Sequence, residues 1–302
     1  MDHKQFTAAL PREVLADLNA TEDAPGLRHL AGHFGLIGLF GVWIAQGWWL
    51  WPMAVVAQGI AICFLFTLEH EATHKTPFRT LWVNEWVGRI CGLLICQPFE
   101  WFRYFHLAHH RFTNIPDKDP ELVAGGKPET WGQYVRHVSG LPFWWAMLGV
   151  TVNNALGRDL GPYIPARARP RVVAEARWML AIYVLALASL VITPLLFWVW
   201  LLPCLVGQPF LRLYLLAEHG RCAYVANMLE NSRSTATNAL VRRLAWNMPY
   251  HAEHHSYPAV PFYKLPELNR LVAEHLMVTE TGYARFHARY APHINGVADP
   301  AE

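Results

Sequence analysis

Hydrophobic and polar positions in this chain fall into long blocks, not short alternations. From Ala31 to Leu68 there is no Asp, Glu, Lys or Arg, and a second long apolar run extends from Met179 to Gly220. Each run is about twice the ~20 residues that cross a bilayer as a helix, so each predicts a pair of spans. Gly47–Pro52 (GWWLWP) interrupts the first run with tryptophans, which favour the membrane–water interface, and divides it into spans at 30–49 and 52–74 joined by a very short turn. The second of these has roughly 26 Å of apolar helix before Glu69, so a continuous helix carries His70 and His74 out of the hydrocarbon on its next turn. In the second run Pro194 and Pro203 bracket a turn around Trp198 and Trp200, predicting spans at 178–199 and 201–219.

The remaining segments are mixed. Residues 11–19 (PREVLADLN) space Val14, Leu15 and Leu18 at helical intervals behind Pro11 and predict a short amphipathic lead-in helix. Two apolar pieces, 87–102 and 141–156, are too short or interrupted to span and predict interfacial or re-entrant helices. Residues 116–120 (PDKDP) and 125–128 (GGKP) mark loops. Near the C-terminus, 266–276 predicts an amphipathic helix with Leu268, Leu271, Val272 and Leu276 on one side. The expected fold is therefore an all-α integral membrane protein with about four transmembrane helices, interfacial helices and a polar cap. It reads as one domain, 1–302: lead-in 1–29, hairpin 30–74, interfacial region 75–177, hairpin 178–219 and C-terminal region 220–302.

Composition agrees: 53% of residues are hydrophobic, only 16% are charged, and there are 14 tryptophans. A net charge of +2 without an aromatic-interleaved basic stripe argues against a nucleic-acid partner. Cys63, Cys91, Cys96, Cys204 and Cys222 form no C-x-x-C pair and read as reduced packing residues. Residues 1–30 carry five acidic side chains and no apolar core of the signal-peptide kind. Neither hairpin turn holds Lys or Arg. Apart from Arg212, the basic residues lie in the N-terminal, middle and C-terminal segments, which the positive-inside rule places in the cytoplasm.

Against this background the histidines stand out. Of 16, eight fall in three clusters: His70 and His74 in HEATH, His106, His109 and His110 in HLAHH, and His251, His254 and His255 in HAEHH. On a helix, positions i, i+3 and i+4 share a face, so each cluster aims its imidazoles one way. The charge pattern puts all three clusters on the same side of the membrane. Eight imidazoles are too many for one ion and suit two; nitrogen ligands of borderline softness leave iron, zinc, copper or nickel. A dimetal site reachable from an apolar phase suggests oxygen chemistry on a lipid, where iron is the usual choice.

These boxes, with Arg111-Phe112-Thr113-Asn114 after the second, Pro258 after the third and two spans between them, resemble the membrane fatty-acid desaturase and hydroxylase superfamily. The ending from Met248 through Pro261 and Leu265-Pro266 is more similar to the desaturase branch. The resemblance implies a non-haem diiron centre on the cytosolic face that uses O2 and two electrons to attack an unactivated C–H bond of a lipid or fatty-acyl substrate. It also implies one further histidine at the cytosolic end of the last span, His219 in LAEHG. Some relatives carry Asn four residues earlier, where this chain has Leu215. Glu218 is an alternative ligand, but adjacent helical residues point about 100° apart. With no cytochrome b5-like domain or ferredoxin motif in the chain, electrons are expected from a separate donor of the ferredoxin or cytochrome b5 kind, for which Arg242-Arg243 offers a basic surface.

Other readings compete. Hydroxylase or ketolase chemistry belongs to the same superfamily. HEATH is also a literal H-E-x-x-H, the helix of zinc proteases with Glu71 as general base, and a metal transporter would also gather imidazoles. Asp119 and Asn114 are candidates to orient imidazole N–H groups or to cap turns. Asn247 is a candidate metal neighbour or helix cap. Trp131, Tyr134, Phe143, Trp144 and Trp145 are candidate walls of an acyl tunnel or interface anchors.

Overall fold

The structure is a computed structural model that describes residues 1–295; the last seven residues of the C-terminal region, 296–302, lie outside it. It is all-α apart from one two-stranded parallel sheet, Ser234–Ala236 beside Thr279–Thr281, the only sheet among the described residues. Among the described residues, four helices are long and apolar enough to cross a membrane. The first, Asp23–Ala45, follows the short lead-in helix Arg12–Asn19; the others are Trp51–His74, Ala166–Ser189 and Phe197–His219. The protein is an integral membrane protein.

The spans divide by burial. In the second and fourth, 61% and 44% of the apolar window is covered by protein; in the first and third, 11% and 17%. The second and fourth spans thus form the inner pair and make the most extensive helix contact. They touch backbone to backbone at Gly59 and Gly207: a Cβ on Gly59 would meet the Pro203 carbonyl oxygen at 2.1 Å, and one on Gly207 would meet Gly59 backbone at 2.1 Å. Small residues permit such close approach where lipid supplies no hydrophobic drive.

The first hairpin turns at Trp48–Leu50, as the tryptophan cluster predicted, with Leu50 in the left-handed region at φ 61°. The second turn is displaced from expectation. The chain reverses at Leu190–Pro194, and Trp198 and Trp200 lie inside the fourth span, in a π-helical stretch, Phe197–Leu201. The cause is proline chemistry: a proline without its N–H is tolerated at a helix start, so Pro194 opens the span, and the wider π turn accommodates the missing donor of Pro203. Trp200 Nε1 donates to the Leu94 carbonyl at 2.8 Å and Trp198 packs edge-on to Trp51.

Three helices of the middle region shape the site: Leu81–Leu94, Phe99–Phe112 and Leu141–Leu156. The first two are locked by charge, with Arg103 Nη2 donating to Glu85 at 2.7 Å and Arg89 paired with Glu100. The C-terminal region is tied to the spans by Trp246, fully buried, whose Nε1 donates to His33 Nδ1 at 3.1 Å, while His33 Nε2 donates to the Ala61 carbonyl at 2.8 Å. Arg233 closes the fourth span, donating to the Ala217 and Gly220 carbonyls that the helix end leaves open. The predicted helix at 266–276 is shorter, Leu265–Val272 and then a 3-10 turn; Leu265, Leu268 and Val272 are buried, but Leu271 is 42% exposed. The stripe is narrower than the sequence spacing suggested, because only one turn-to-turn row meets the core.

Candidate metal centre

Four elements deliver nine histidines to one end of the inner helix pair. The second span ends in His70 and His74, the fourth in His219; Phe99–Phe112 supplies His106, His109 and His110, and His251–Ser256 supplies His251, His254 and His255. His74 and His110 are half-buried and the other seven are buried.

The nine separate into two gatherings. Donor atoms of His70, His74, His106, His110 and His254 all lie within 4.8 Å of one another, and so do those of His109, His219 and His255. His251 joins the second: its Nε2 is 2.9 Å from His219 Nε2. Helix geometry explains the sorting. Residues at i and i+4, such as His106 and His110, share a face and go to one gathering, whereas neighbours in sequence diverge by about 100°. So each adjacent pair, His109-His110 and His254-His255, straddles the two gatherings. His110 and His255 stack between them, rings 4.0 Å apart and 8° from parallel.

The donor set fits metal ions. Nε2 atoms approach pairwise at 2.8 Å (His74–His106), 3.2 Å (His110–His254) and 3.2 Å (His109–His219). Metal–imidazole bonds of about 2.0–2.1 Å place neighbouring ligand nitrogens about 3.0–3.4 Å apart. Both ring nitrogens of His70 and Nε2 of His255 are buried without a hydrogen-bond partner, a cost that a metal ion removes.

The far side of the rings differs between gatherings. His109 Nδ1 pairs with Asp119 Oδ1 at 2.9 Å, His219 Nδ1 donates to the Asn231 carbonyl at 3.0 Å, and Thr113 Oγ1 lies 3.1 Å from His255 Nδ1. Glu218 Oε1 lies 3.4 Å from His251 Nδ1, and Glu71 Oε1 3.2 Å from His254 Nδ1; both are close enough for ion pairing but misaligned for a hydrogen bond. No hydrogen bond fixes Nδ1 of His70, His74, His106 or His110 among the described residues.

Burial, then neighbouring imidazoles, pushes the pKa values of His106, His110, His251 and His255 well below the usual histidine range, and burial takes His254 down to about 3. These rings are neutral, the form that binds metal. His109 moves the other way: burial disfavours its charge, but Glu121 and the Asp119 hydrogen bond outweigh that and raise it.

Of the other polar candidates, Asp119 both meets His109 and caps Pro120–Ala124. Asn114, at φ 56°, donates to the same Asn231 carbonyl that holds His219. Asn247 does neither of the things expected of it; its side chain donates to the Phe262 carbonyl at 3.0 Å. Glu71 is fully buried behind His254, with Oε2 accepting from Thr76 and from the Phe262 backbone and Oε1 turned toward His254 Nδ1 at 3.2 Å.

A cavity of about 570 Å³ opens beside His70, His106, His109 and His251. Phe143 lines it, but Trp131, Tyr134, Trp144 and Trp145 do not: Trp145 is 78% exposed, and Tyr134 is engaged by His287. The apolar wall is built from Phe66, Trp101, Phe102, Phe105 and Met147. Three of these were legible: Phe66 precedes His70 by four residues, and Phe102 and Phe105 precede His106 and His109 by four, so each shares its histidine's face. A more open cavity near Gly157–Arg177, about 880 Å³, touches none of the histidines.

The chain matches the family model described as fatty acid desaturase over residues 26–289. It is 26% identical to a dihydrorhizobitoxine desaturase of Bradyrhizobium elkanii over 82% of this chain and 73% of that one. It is 25% identical to a sphingolipid delta(4)-desaturase/C4-monooxygenase of Mus musculus, over 83% of this chain and 75% of that one. A shorter stretch, 28% of this chain, is 39% identical to an sn-1 oleoyl-lipid 12-desaturase of Arthrospira platensis, of which it spans 23%.

Proposed function

Since the family model covers most of its length, the chain belongs to the fatty acid desaturase family, and from that premise we propose that it is a membrane-bound, O2-dependent diiron desaturase acting on a lipid or fatty-acyl substrate. The observation that carries this reading is the sorting of nine imidazoles into two neighbouring gatherings. In the proposed assignment His70, His74, His106, His110 and His254 hold one iron, and His109, His219, His251 and His255 hold the other. Two irons so held, given O2 and two electrons from a separate ferredoxin-like or cytochrome b5-like donor, supply the oxidising power to remove hydrogens from adjacent methylenes.

The chain's own residues do the rest. Phe66, Phe102 and Phe105 form an apolar wall that lays an alkyl chain against His70 and His106 and excludes water from it. Asp119, Asn231 and Thr113 fix the tautomer and tilt of their imidazoles. The Lys and Arg distribution supports a cytoplasmic position for the termini and the histidines.

Purified protein is expected to carry close to two irons per chain, and lipids of a host expressing it to gain an unsaturated product that His109→Ala abolishes. An active preparation with one zinc and no iron would sink the diiron assignment; a hydroxylated product in place of an alkene would move it to the hydroxylase branch. Orientation is tested at Ala259, an exposed position four residues beyond His255. Labelling of Ala259→Cys by an impermeant reagent on intact cells would overturn the cytoplasmic placement.

A further inference from the structure

Arg212 is the one basic residue of the fourth span and lies in the wall of the cavity beside the histidines. An ionisable side chain in a membrane span is costly, and such residues usually face a partner or a functional cavity. Glu121 and Glu218 line the same cavity and act on Arg212 through space, but neither forms a salt bridge with it. Its guanidinium lies over the Phe143 ring at 4.5 Å, its Nε is buried without a hydrogen bond, and it makes no salt bridge among the described residues. Of the two acids, Glu121 is paired with Lys127 at 3.0 Å, and Glu218 lies nearer to His251 Nδ1, at 3.4 Å. The cavity-lining His137, a neutral ring whose pKa burial lowers to about 4, sits against the Arg212 backbone, with Nε2 buried and without a hydrogen bond among the described residues.

Arg212 precedes His219 by seven residues. Seven residues are two turns to within about 20°, so the two side chains leave the same face of the span roughly 10 Å apart along its axis. The cavity therefore has a cationic end at Arg212, and an aromatic end at Phe66 and Phe102 against His70 and His106.

Resting on the desaturase reading above, we propose that Arg212 anchors the substrate by an anionic oxyacid group, so that the substrate is an apolar chain with a carboxylate or phosphate end that enters the cavity. The carbons presented to the histidines are then counted from the anionic end, at a span set by the two turns between Arg212 and His219. A neutral ester or amide of the same chain leaves the guanidinium without its acceptor, and a hydrogen bond to a charged group is the stronger kind.

The test is binding to purified full-length protein in detergent, read as ligand-induced thermal shift and titrated affinity, with decanoate, decyl phosphate and decanamide as probes. Wild type should bind decanoate or decyl phosphate at least tenfold more tightly than decanamide; whichever anion wins identifies a carboxylate or a phosphate end. Arg212→Gln should reduce that ratio to near one, Arg212→Lys should retain part of it, and both should keep the iron content of wild type. Equal binding of all three probes by wild type, or an undiminished ratio in Arg212→Gln, overturns the anchor. If Arg212→Gln does not fold, wild type and Arg212→Lys decide: a wild-type ratio near one, or a ratio that Arg212→Lys does not lower, rejects it. Iron content is read separately, so loss of the diiron reading and loss of the anchor are distinguishable.

Discussion

The two gatherings of imidazole are built on different principles. Around His109, His219 and His255 the rings are set by hydrogen bonds from behind, to Asp119, the Asn231 carbonyl and Thr113. Around His70, His74, His106 and His110 no such bonds exist among the described residues, and the rings are set by helix spacing and by aromatic packing. Phe102 stacks on His106 at 5.5 Å, and Phe66 lies 6.1 Å from His70. The gathering around His219 therefore depends on polar partners behind its rings, the one around His70 on close-packed apolar surface. A metal site needs its ligands preorganised, and the chain achieves this in two ways within a few ångströms.

The comparison is broken most severely by removing a ligand from the hydrogen-bonded side. His219→Ala is expected to lower iron from about two to about one per chain and to cut turnover more than 100-fold, about as severely as His109→Ala, while the protein still inserts and packs. Full iron occupancy in His219→Ala would show that the site closes without it. Next comes Asp119→Ala, expected to weaken metal at the same gathering by about 10–100-fold. Asp119→Asn, which keeps an acceptor for both His109 and the helix cap, should lose less, and equal losses in both would mean that the carboxylate's charge, not its hydrogen bond, holds His109.

On the packed side, Phe102→Ala removes a 95%-buried ring and should cost about 3–5 kcal/mol of stability. It should loosen metal at His70 and His106 while sparing the hydrogen-bonded gathering; a competition titration with a chelator would expose the opposite pattern. The smallest effect is in protonation. In metal-free protein His109 should titrate above the usual 6.5, whereas His254 should stay neutral down to about pH 3. By linkage, the contribution of His254 to stability is present above pH 6.5 and lost as pH falls from there toward 3, because the unfolded chain takes up the proton first. An imidazole NMR titration that finds the two rings alike would remove this difference.

Much of this arrangement was legible in the sequence because it rests on period and charge. Two long apolar runs, the first without any charge, predicted four spans, and i, i+3, i+4 spacing put the histidines on common helix faces. What could not be read depends on packing between distant segments. Asn231, Ser232 and Thr113 carry no local signal for a role behind His219 and His255, since only the fold brings 113, 219, 231 and 255 together. The displaced turn at Leu190–Pro194 shows a second limit, for tryptophan marks an interface in one hairpin and packs within the span in the other. Of the aromatic residues of 131–145 only Phe143 became a cavity wall, for a related reason: the short helix that carries Trp131 presents it outward, 47% exposed.

The glycine contact between the second and fourth spans can be viewed as a fulcrum. Gly59 lies 11 residues before His70 and Gly207 12 residues before His219, lever arms of about 17 Å along each helix. One degree of tilt about that point moves the histidine end of a span by about 0.3 Å, and a working site tolerates only about 0.5 Å of error. A single methyl group at either glycine, far from any ligand, would pry the helices apart and open the angle between them. The spacing of the two gatherings is thus gauged not at the site but deep in the bilayer, by the absence of two side chains.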